Sequence, residues 1–195
     1  MLVGSFCVLC GQGGVAVCSR CASSLERAPS LAVPLGVDSC FALLDYEGAR
    51  RLITSLKNGG RRDLVGWLAA QLVTCARPPA GAVITWAPTG AERRRARGFD
   101  QAELLARAVA RRWRLPCSGL LRRAPGPAQA GRTAAERREN PSFAVVKACP
   151  EVVVLVDDVV TTGATLTGAA RALRAGGSTT VTAVVAARSP GRWAA

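Results

Sequence analysis

The thirteen-residue string VVLVDDVVTTGAT, from Val153 to Thr165, constrains this chain more than any other feature. The run of Val and Leu from Val152 to Val156 has no polar face, so it suits a strand covered on both sides, as strands of parallel sheets are. That strand delivers Asp157 and Asp158 to its end, and Thr161, Thr162, Gly163, Ala164 and Thr165 then turn the chain into a helix N-terminus. Backbone N–H groups, the helix dipole and threonine hydroxyls make such a turn a phosphate site. Gly163 permits a close backbone approach that a Cβ would block. Two carboxylates beside the cradle would repel a bare phosphate, but they suit sugar hydroxyls or the hydration shell of a magnesium ion. Each half of the string alone could be a capped turn or an ordinary helix start. The whole describes a site for a sugar phosphate.

The rest of the chain supplies the layers such a strand needs. A short apolar run predicts a strand over Phe41 to Tyr46, and Leu52, Ile53 and Leu56 at helical spacing predict a helix from Glu47 to Lys57. A second helix is expected from Arg61 to Cys75, a buried strand from Ala82 to Ala87, an arginine-rich loop from Thr89 to Gly98 and a helix from Gln101 to Trp113. Residues 115–150 are the least regular, with a short helix expected near Thr133 to Arg138, and they are a candidate mobile loop. Beyond the signature strand, Ala164 to Ala175 reads as a helix and Thr180 to Ala187 as a strand. This alternation predicts an α/β fold with a mainly parallel sheet, and a ligand beyond the carboxyl ends of its strands.

The 195 residues suit one ordinary domain with a small module attached. There is no histidine, which removes histidine acid–base chemistry, histidine metal sites and Ser-His-Asp triads. No secretory leader pattern opens the chain and no apolar stretch is long enough for a membrane helix, so a cytoplasmic protein without membrane insertion is expected. In that reducing compartment eight cysteines are not read as a disulfide framework. Cys7 and Cys10, then Cys18 and Cys21, form two chelating pairs separated by GQGGVAV, a spacing that lets four thiolates converge on one structural zinc ion. Residues 1–30 are therefore expected to form a zinc-binding module ahead of a domain over 31–195. The isolated Cys40, Cys75, Cys117 and Cys149 are expected to be buried and inert.

The net charge of +13 predicts attraction to polyanions. Between Arg93 and Arg138 thirteen arginines face three acids, a surplus of ten in one segment. Within it Arg93, Arg94, Arg95 and Arg97, followed by Gly98, sit between a strand end and a helix start, which fits a diphosphate pocket built from guanidinium forks and backbone N–H groups. A solvated basic face or a nucleic-acid patch is the other reading of such a run. The surplus would favour single-stranded DNA through counterion release, although Phe99, Trp113 and Phe143 are a thin stacking platform.

The string from Val153 to Thr165 resembles the phosphoribosyl diphosphate (PRPP) signature of type I phosphoribosyltransferases. The N-terminal cysteine module and the segment Trp86-Ala-Pro-Thr89 through Arg97-Gly-Phe-Asp-Gln101 narrow the resemblance to the ComF family of natural competence proteins and their relatives, over nearly the whole chain. The resemblance implies that Asp157 and Asp158 bind ribose hydroxyls, that Thr161 to Thr165 hold the 5′-phosphate, and that Arg97, with Arg93, Arg95 and Gly98, holds the diphosphate, with magnesium accompanying PRPP. Asp157, Asp158 and Arg97 would then be the catalytic set for displacing diphosphate from the anomeric carbon. Lys57, in Leu56-Lys-Asn-Gly-Gly60, matches the family's Leu-Lys segment. The chain departs from the pattern at Asp100, where Asn is usual, at Arg132, where Leu is usual, and in the short spacing from Asn140 to Phe143. If Asp100 faces the pocket, its charge would weaken diphosphate binding. The alternative that the resemblance raises is a nonenzymatic factor in single-stranded DNA uptake, or a regulator, that uses the PRPP site as a sensor. The acceptor substrate and the oligomeric state are not legible.

Overall fold

The computed structural model describes residues 5–30, 32–58, 60–123 and 141–189. Among them are six strands, β1 (Ser39–Asp45), β2 (Val83–Trp86), β3 (Leu121–Arg123), β4 (Phe143–Val145), β5 (Val152–Val160) and β6 (Thr180–Arg188). The six helices are α1 (Ser19–Ser23), α2 (Tyr46–Asn58), α3 (Asp63–Cys75), α4 (Ala91–Arg97), α5 (Gln101–Trp113) and α6 (Ala164–Ala175). Four strands form one sheet in the order β1-β6-β5-β2, with every neighbouring pair parallel. This is the α/β architecture expected from the alternating pattern.

The two faces of β5 show why its Val and Leu run is continuous. Val154 and Val156 pack into the core formed with α2, α3 and α5, while Val153 and Leu155 pack into the core under α6. All four are fully buried. The helices answer with apolar stripes: Leu52 and Leu56 from α2, Leu64, Leu68 and Leu72 from α3, and Leu105 from α5 are inaccessible to solvent. Truncating one of these to alanine costs about 2–5 kcal/mol.

Three segments differ from the pattern-based expectation. The arginine-rich stretch is not a loop: Ala91 to Arg97 form α4, whose first turn is closed by Arg94 N–H donating to the Gly90 carbonyl. Alanine and arginine are good helix formers, and Gly98 ends the helix at φ 74° with its N–H on the Arg94 carbonyl. Strand β5 does not stop at Val156 but continues through the aspartates to Val160, held by pairing with β6 as far as Arg188. Residues 115–150 are not wholly irregular, because β3 and β4 pair antiparallel and pack against α6. The expected helix near Thr133 to Arg138, and the departures at Arg132 and Asn140, lie outside the described residues.

The cysteine-bearing N-terminus joins the main core through Val17, and Val8, Leu9 and Leu25 also pack against that core. Arg51 donates to the Leu9 carbonyl at 2.8 Å and Arg61 to the Phe6 carbonyl at 2.5 Å, which ties the knuckle to α2 and to the start of α3. Residues 26–28 run antiparallel along the outer edge of β1, with Ala28 N–H on the Leu43 carbonyl and Asp45 N–H on the Glu26 carbonyl. Among the described residues no helix is long and apolar enough to cross a membrane.

Candidate functional site

A 370 Å³ cavity opens at the carboxyl ends of the parallel strands, where a doubly wound sheet binds ligands. Two limbs enclose it. One follows β5 and carries carboxylates and threonines, and the other follows β2 and carries arginines.

Asp157 and Asp158 both line the cavity and are buried, at 8% and 5% exposure. Asp157 accepts the N–H of Asp158 at 2.8 Å. Burial and the neighbouring Asp158 carboxylate push Asp157 well above the usual carboxylate range. Lys57, at the end of α2, reaches Asp158 with Nζ 3.1 Å from Oδ1. That leaves Asp158 Oδ2 buried and without a hydrogen-bond partner among the described residues. Gln101 Oε1, at the start of α5 on the other limb, is in the same condition, and Gln101 also lines the cavity. Buried acceptors left open are costly, so two of them in one cavity call for a ligand that brings donors.

After β5, residues 159–166 surround a smaller 190 Å³ hollow at the start of α6. Gly163 stands before the helix at φ 76°, a conformation that favours glycine, so its own backbone calls for it. Thr162 Oγ1 accepts the Ala164 N–H at 3.5 Å. Thr161 and Thr165 line both the hollow and the main cavity, whereas Thr162, Gly163 and Ala164 line the hollow alone.

On the opposite limb, Arg93 and Arg97 are one turn apart on α4 and line the cavity. Arg95 points elsewhere: it is exposed and absent from the lining, as is Gly98, whose part is to end the helix. A third guanidinium, Arg123 on β3, completes the wall. Burial and then the adjacent Arg93 charge lower its pKa, against the attraction of Asp157, and its guanidinium lies 5.7 Å from the centre of the Phe143 ring. None of Arg93, Arg97 and Arg123 has an ion pair among the described residues. Such a cluster is stable in company with an anion.

Asp100 does not spend its charge on the cavity. Its Oδ1 caps α5 by accepting the N–H groups of Ala102 at 3.0 Å and Glu103 at 3.3 Å, and its Oδ2 accepts the Thr89 N–H at 2.8 Å. All its partners are donors, so an acceptor-only carboxylate fits better here than an amide, which would set its NH2 against one of them. Burial raises its pKa, opposed by these three N–H groups. Asp100 thereby fastens the Thr89 backbone, which lines the cavity, to the start of α5.

Sequence reasoning missed Arg123, Gln101, Tyr46 and Ser189 as lining residues. Gln101 was legible as the first residue of a helix following an arginine segment. Tyr46 and Ser189 were legible only as the residues just past the ends of β1 and β6. Nothing local marks Arg123, which pairing between β3 and β4 brings in.

Near the N-terminus the Sγ atoms of Cys7, Cys10, Cys18 and Cys21 lie within 4.8 Å of one another, and Cys10 and Cys18 approach to 3.7 Å. Burial opposes ionisation of Cys7, but N–H groups led by that of Cys18 bring its thiol down to about 6, while sharing with Cys18 and Cys10 pushes Cys21 up to about 12. Four thiols so close cannot all ionise without a cation among them, and a four-sulfur set suits a metal such as zinc. The other four cysteines stand apart as half-buried free thiols, with Cys40 pushed up to about 12 by burial.

The fold is an α/β one with a parallel four-stranded sheet, and the cavity lies at the carboxyl ends of its strands. Residues 102–195 match the profile of the phosphoribosyl transferase domain. No curated protein matches the chain. Solved structures similar to it include the allosteric regulatory enzyme of purine biosynthesis, 19% identical with a TM-score of 0.43 over 62% of this chain and 25% of that one. Another is the hypoxanthine phosphoribosyl transferase of Trypanosoma cruzi, 16% identical with a TM-score of 0.35 over 64% of this chain and 62% of that one. The chain thus spans about a quarter of the first and under two thirds of the second.

Proposed function

We propose that the protein binds PRPP in the 370 Å³ cavity and transfers its phosphoribosyl group with release of diphosphate. The observation that carries this reading is the cavity's asymmetry. Among the described residues, the buried acceptors Asp158 Oδ2 and Gln101 Oε1 have no partner and stand opposite three guanidiniums that have no ion pair. A ligand that is rich in hydroxyls and also a polyanion satisfies both sides, and the matching phosphoribosyl transferase profile supports the same class.

In this reading the ribose hydroxyls donate to Asp157 and Asp158, and the 5′-phosphate accepts from the N–H groups and hydroxyls of Thr161 to Thr165. Arg93, Arg97 and Arg123 hold the diphosphate. The bond from the anomeric carbon to diphosphate breaks with its electron pair leaving on diphosphate, and an acceptor lone pair forms the new bond through an oxocarbenium-like state. Guanidiniums fixed where charge develops on the leaving group lower the barrier. Lys57 holds the Asp158 carboxylate in place beside Asp157 through its 3.1 Å ion pair. A magnesium ion bound with PRPP, faced by the open Asp158 oxygen, would share the leaving group's charge. Zinc is the metal that the four cysteines would hold, contributing folding free energy. Elemental analysis should find one zinc per chain, lost in Cys18→Ser; absence of stoichiometric metal rejects it.

The test of turnover is diphosphate release from PRPP over a panel of nitrogen and oxygen acceptors. Release that depends on one acceptor and is lost in Arg97→Ala supports transfer. Binding of PRPP without release from any acceptor favours the second reading, a ComF-like competence factor that handles single-stranded DNA and senses PRPP. Exposed arginines outside the cavity, such as Arg95 and Arg122, favour that second reading. Its signature is DNA affinity that falls steeply with salt and is unchanged in Asp158→Asn.

A further inference from the structure

A second cavity, of 600 Å³, lies between α3 and α5 and shares no lining residue with the first. Its floor is aliphatic and shallow: Val65 and Gly66 from α3, Leu104 and Ala110 from α5, and Leu115 just beyond. Its rim is cationic, with Arg62 on one side and Arg107, Arg111 and Arg114 on the other. The last three are spaced i, i+4 and i+7, which sets them along roughly 10 Å of one helix edge. Arg107 is paired with Glu103 at 2.9 Å and Arg62 lies over the Phe99 ring at 4.7 Å. Arg111 and Arg114 have no side-chain partner among the described residues, and no acidic residue lines the cavity.

Two positions here break the local backbone rules, in opposite senses. Gly66 sits inside α3, where glycine weakens a helix, yet a Cβ built on it meets nothing within 4 Å. No packing contact among the described residues requires that glycine. Arg114 follows α5 at φ 57°, in the left-handed region where glycine is the usual residue. It is the one non-glycine residue with positive φ among the described residues. Glycine therefore stands where a side chain would fit, and arginine where the backbone asks for glycine. Both face the same groove, and rules broken without gain inside a chain point to a role outside it. Gly66 leaves space beside α3 where a side chain would stand, while its carbonyl accepts from the Arg112 guanidinium at 3.2 Å, and Arg114 extends the cationic rim.

We propose that this groove docks an acidic amphipathic helix of a partner protein. Its aliphatic residues would lie on Gly66, Ala110 and Leu104, and acidic residues at helical spacing would meet Arg107, Arg111 and Arg114. Small residues on facing helices let a third helix pack closely, and helix-in-groove docking reads its ligand at i, i+3, i+4 and i+7. The floor decides against nucleic acid, since bases stack on aromatic faces and no aromatic residue among the described ones lines this cavity. The length of the rim decides against a single phosphate. A second copy of the chain is a poor occupant: the charge is +13 and each described helix carries at most one acidic residue.

The test uses the full chain and a labelled designed peptide of about five helical turns, with leucines on one face flanked by glutamates, read by fluorescence anisotropy. Two companion peptides carry glutamine for glutamate or serine for leucine. The acidic amphipathic peptide should bind, with affinity falling as salt rises, and both companions should bind at least tenfold more weakly. Gly66→Leu and Arg114→Gly should each weaken binding at least tenfold while the melting temperature holds or rises, because each gives the backbone a residue it prefers. The variants act on different helices, so either one decides if the other fails to fold. No binding of the acidic peptide, equal binding of the serine-faced peptide, unchanged affinity in the folded variants, or displacement of the peptide by an equimolar thymidine oligonucleotide overturns the proposal.

Discussion

The two limbs of the main cavity are built on opposite principles. The limb after β5 is desolvated: Asp157 and Asp158 are buried, backed by a strand that is apolar on both faces and braced by Lys57. The limb after β2 is wet: α4 has no buried residue, and its arginines project from a seven-residue helix held at its ends by Gly98 and, through Asp100, by α5. Charge in the first limb acts at full strength, because little water screens it. Charge in the second is screened and partly redundant. In the proposed function the wet limb would attract a polyanion, while recognition of its hydroxyls would rest on the buried one.

The largest effect is expected on the buried limb. Asp158→Asn removes a charge-assisted acceptor and leaves Lys57 without its partner, so PRPP affinity should fall roughly 100-fold by calorimetry, an effect of about 2–3 kcal/mol. Asp157→Asn should also weaken PRPP, with a distinct signature in stability. The folded-state pKa of Asp157 is raised, so its contribution to stability is present at low pH and is lost as pH rises from the ordinary carboxylate range through the elevated value. The wild-type melting temperature should carry that decline, and Asp157→Asn should flatten it. A variant that melts in parallel with the wild type across this range would show that the aspartate is not strained.

An intermediate effect is expected at Asp100, where the limbs are joined. Asp100→Ala removes the cap of α5, costing about 1 kcal/mol of stability, and frees the Thr89 backbone, so diphosphate affinity should fall roughly tenfold. Asp100→Asn should recover most of the cap but only part of the affinity. If the alanine variant binds diphosphate as tightly as the wild type, the arginine limb holds its shape without α5.

The smallest effects separate arginines within the wet limb. Arg97→Ala should lose about fivefold in diphosphate affinity, as expected for one half-buried charged contact worth about 1 kcal/mol. Arg95→Ala should stay within about twofold, and less at high salt, since an exposed charge outside the cavity is screened. Equal losses would mean that the limb acts as an undifferentiated basic field.

The same contrast explains what the amino-acid pattern could show. The β5 limb was legible because strand, carboxylates and the threonine-glycine turn are contiguous, and each residue type answers to its own local environment. The four-cysteine cluster was legible for the same reason, since two short chelating pairs bring their own geometry. The wet limb was legible as chemistry and not as structure: a run of arginines carries no periodicity that separates α4 from a loop, although Ala91, Ala96 and Gly98 fit a short helix with a left-handed end. Arg123 was hidden because three-residue strands leave no period to read, and its place depends on pairing Leu121 with Val145 across the chain. Asp100 was read as a substituted site residue, when its partners turned out to be three backbone N–H groups.

The central claim is that the two limbs bind one ligand together. Calorimetric titration of the wild-type protein, with magnesium, by PRPP, by ribose 5-phosphate and by diphosphate tests it most directly. The account predicts that PRPP binds at least tenfold more tightly than either fragment, and that Asp158→Asn removes this advantage while diphosphate affinity is retained. PRPP binding no tighter than diphosphate alone, with Asp158→Asn indistinguishable from the wild type, would contradict it.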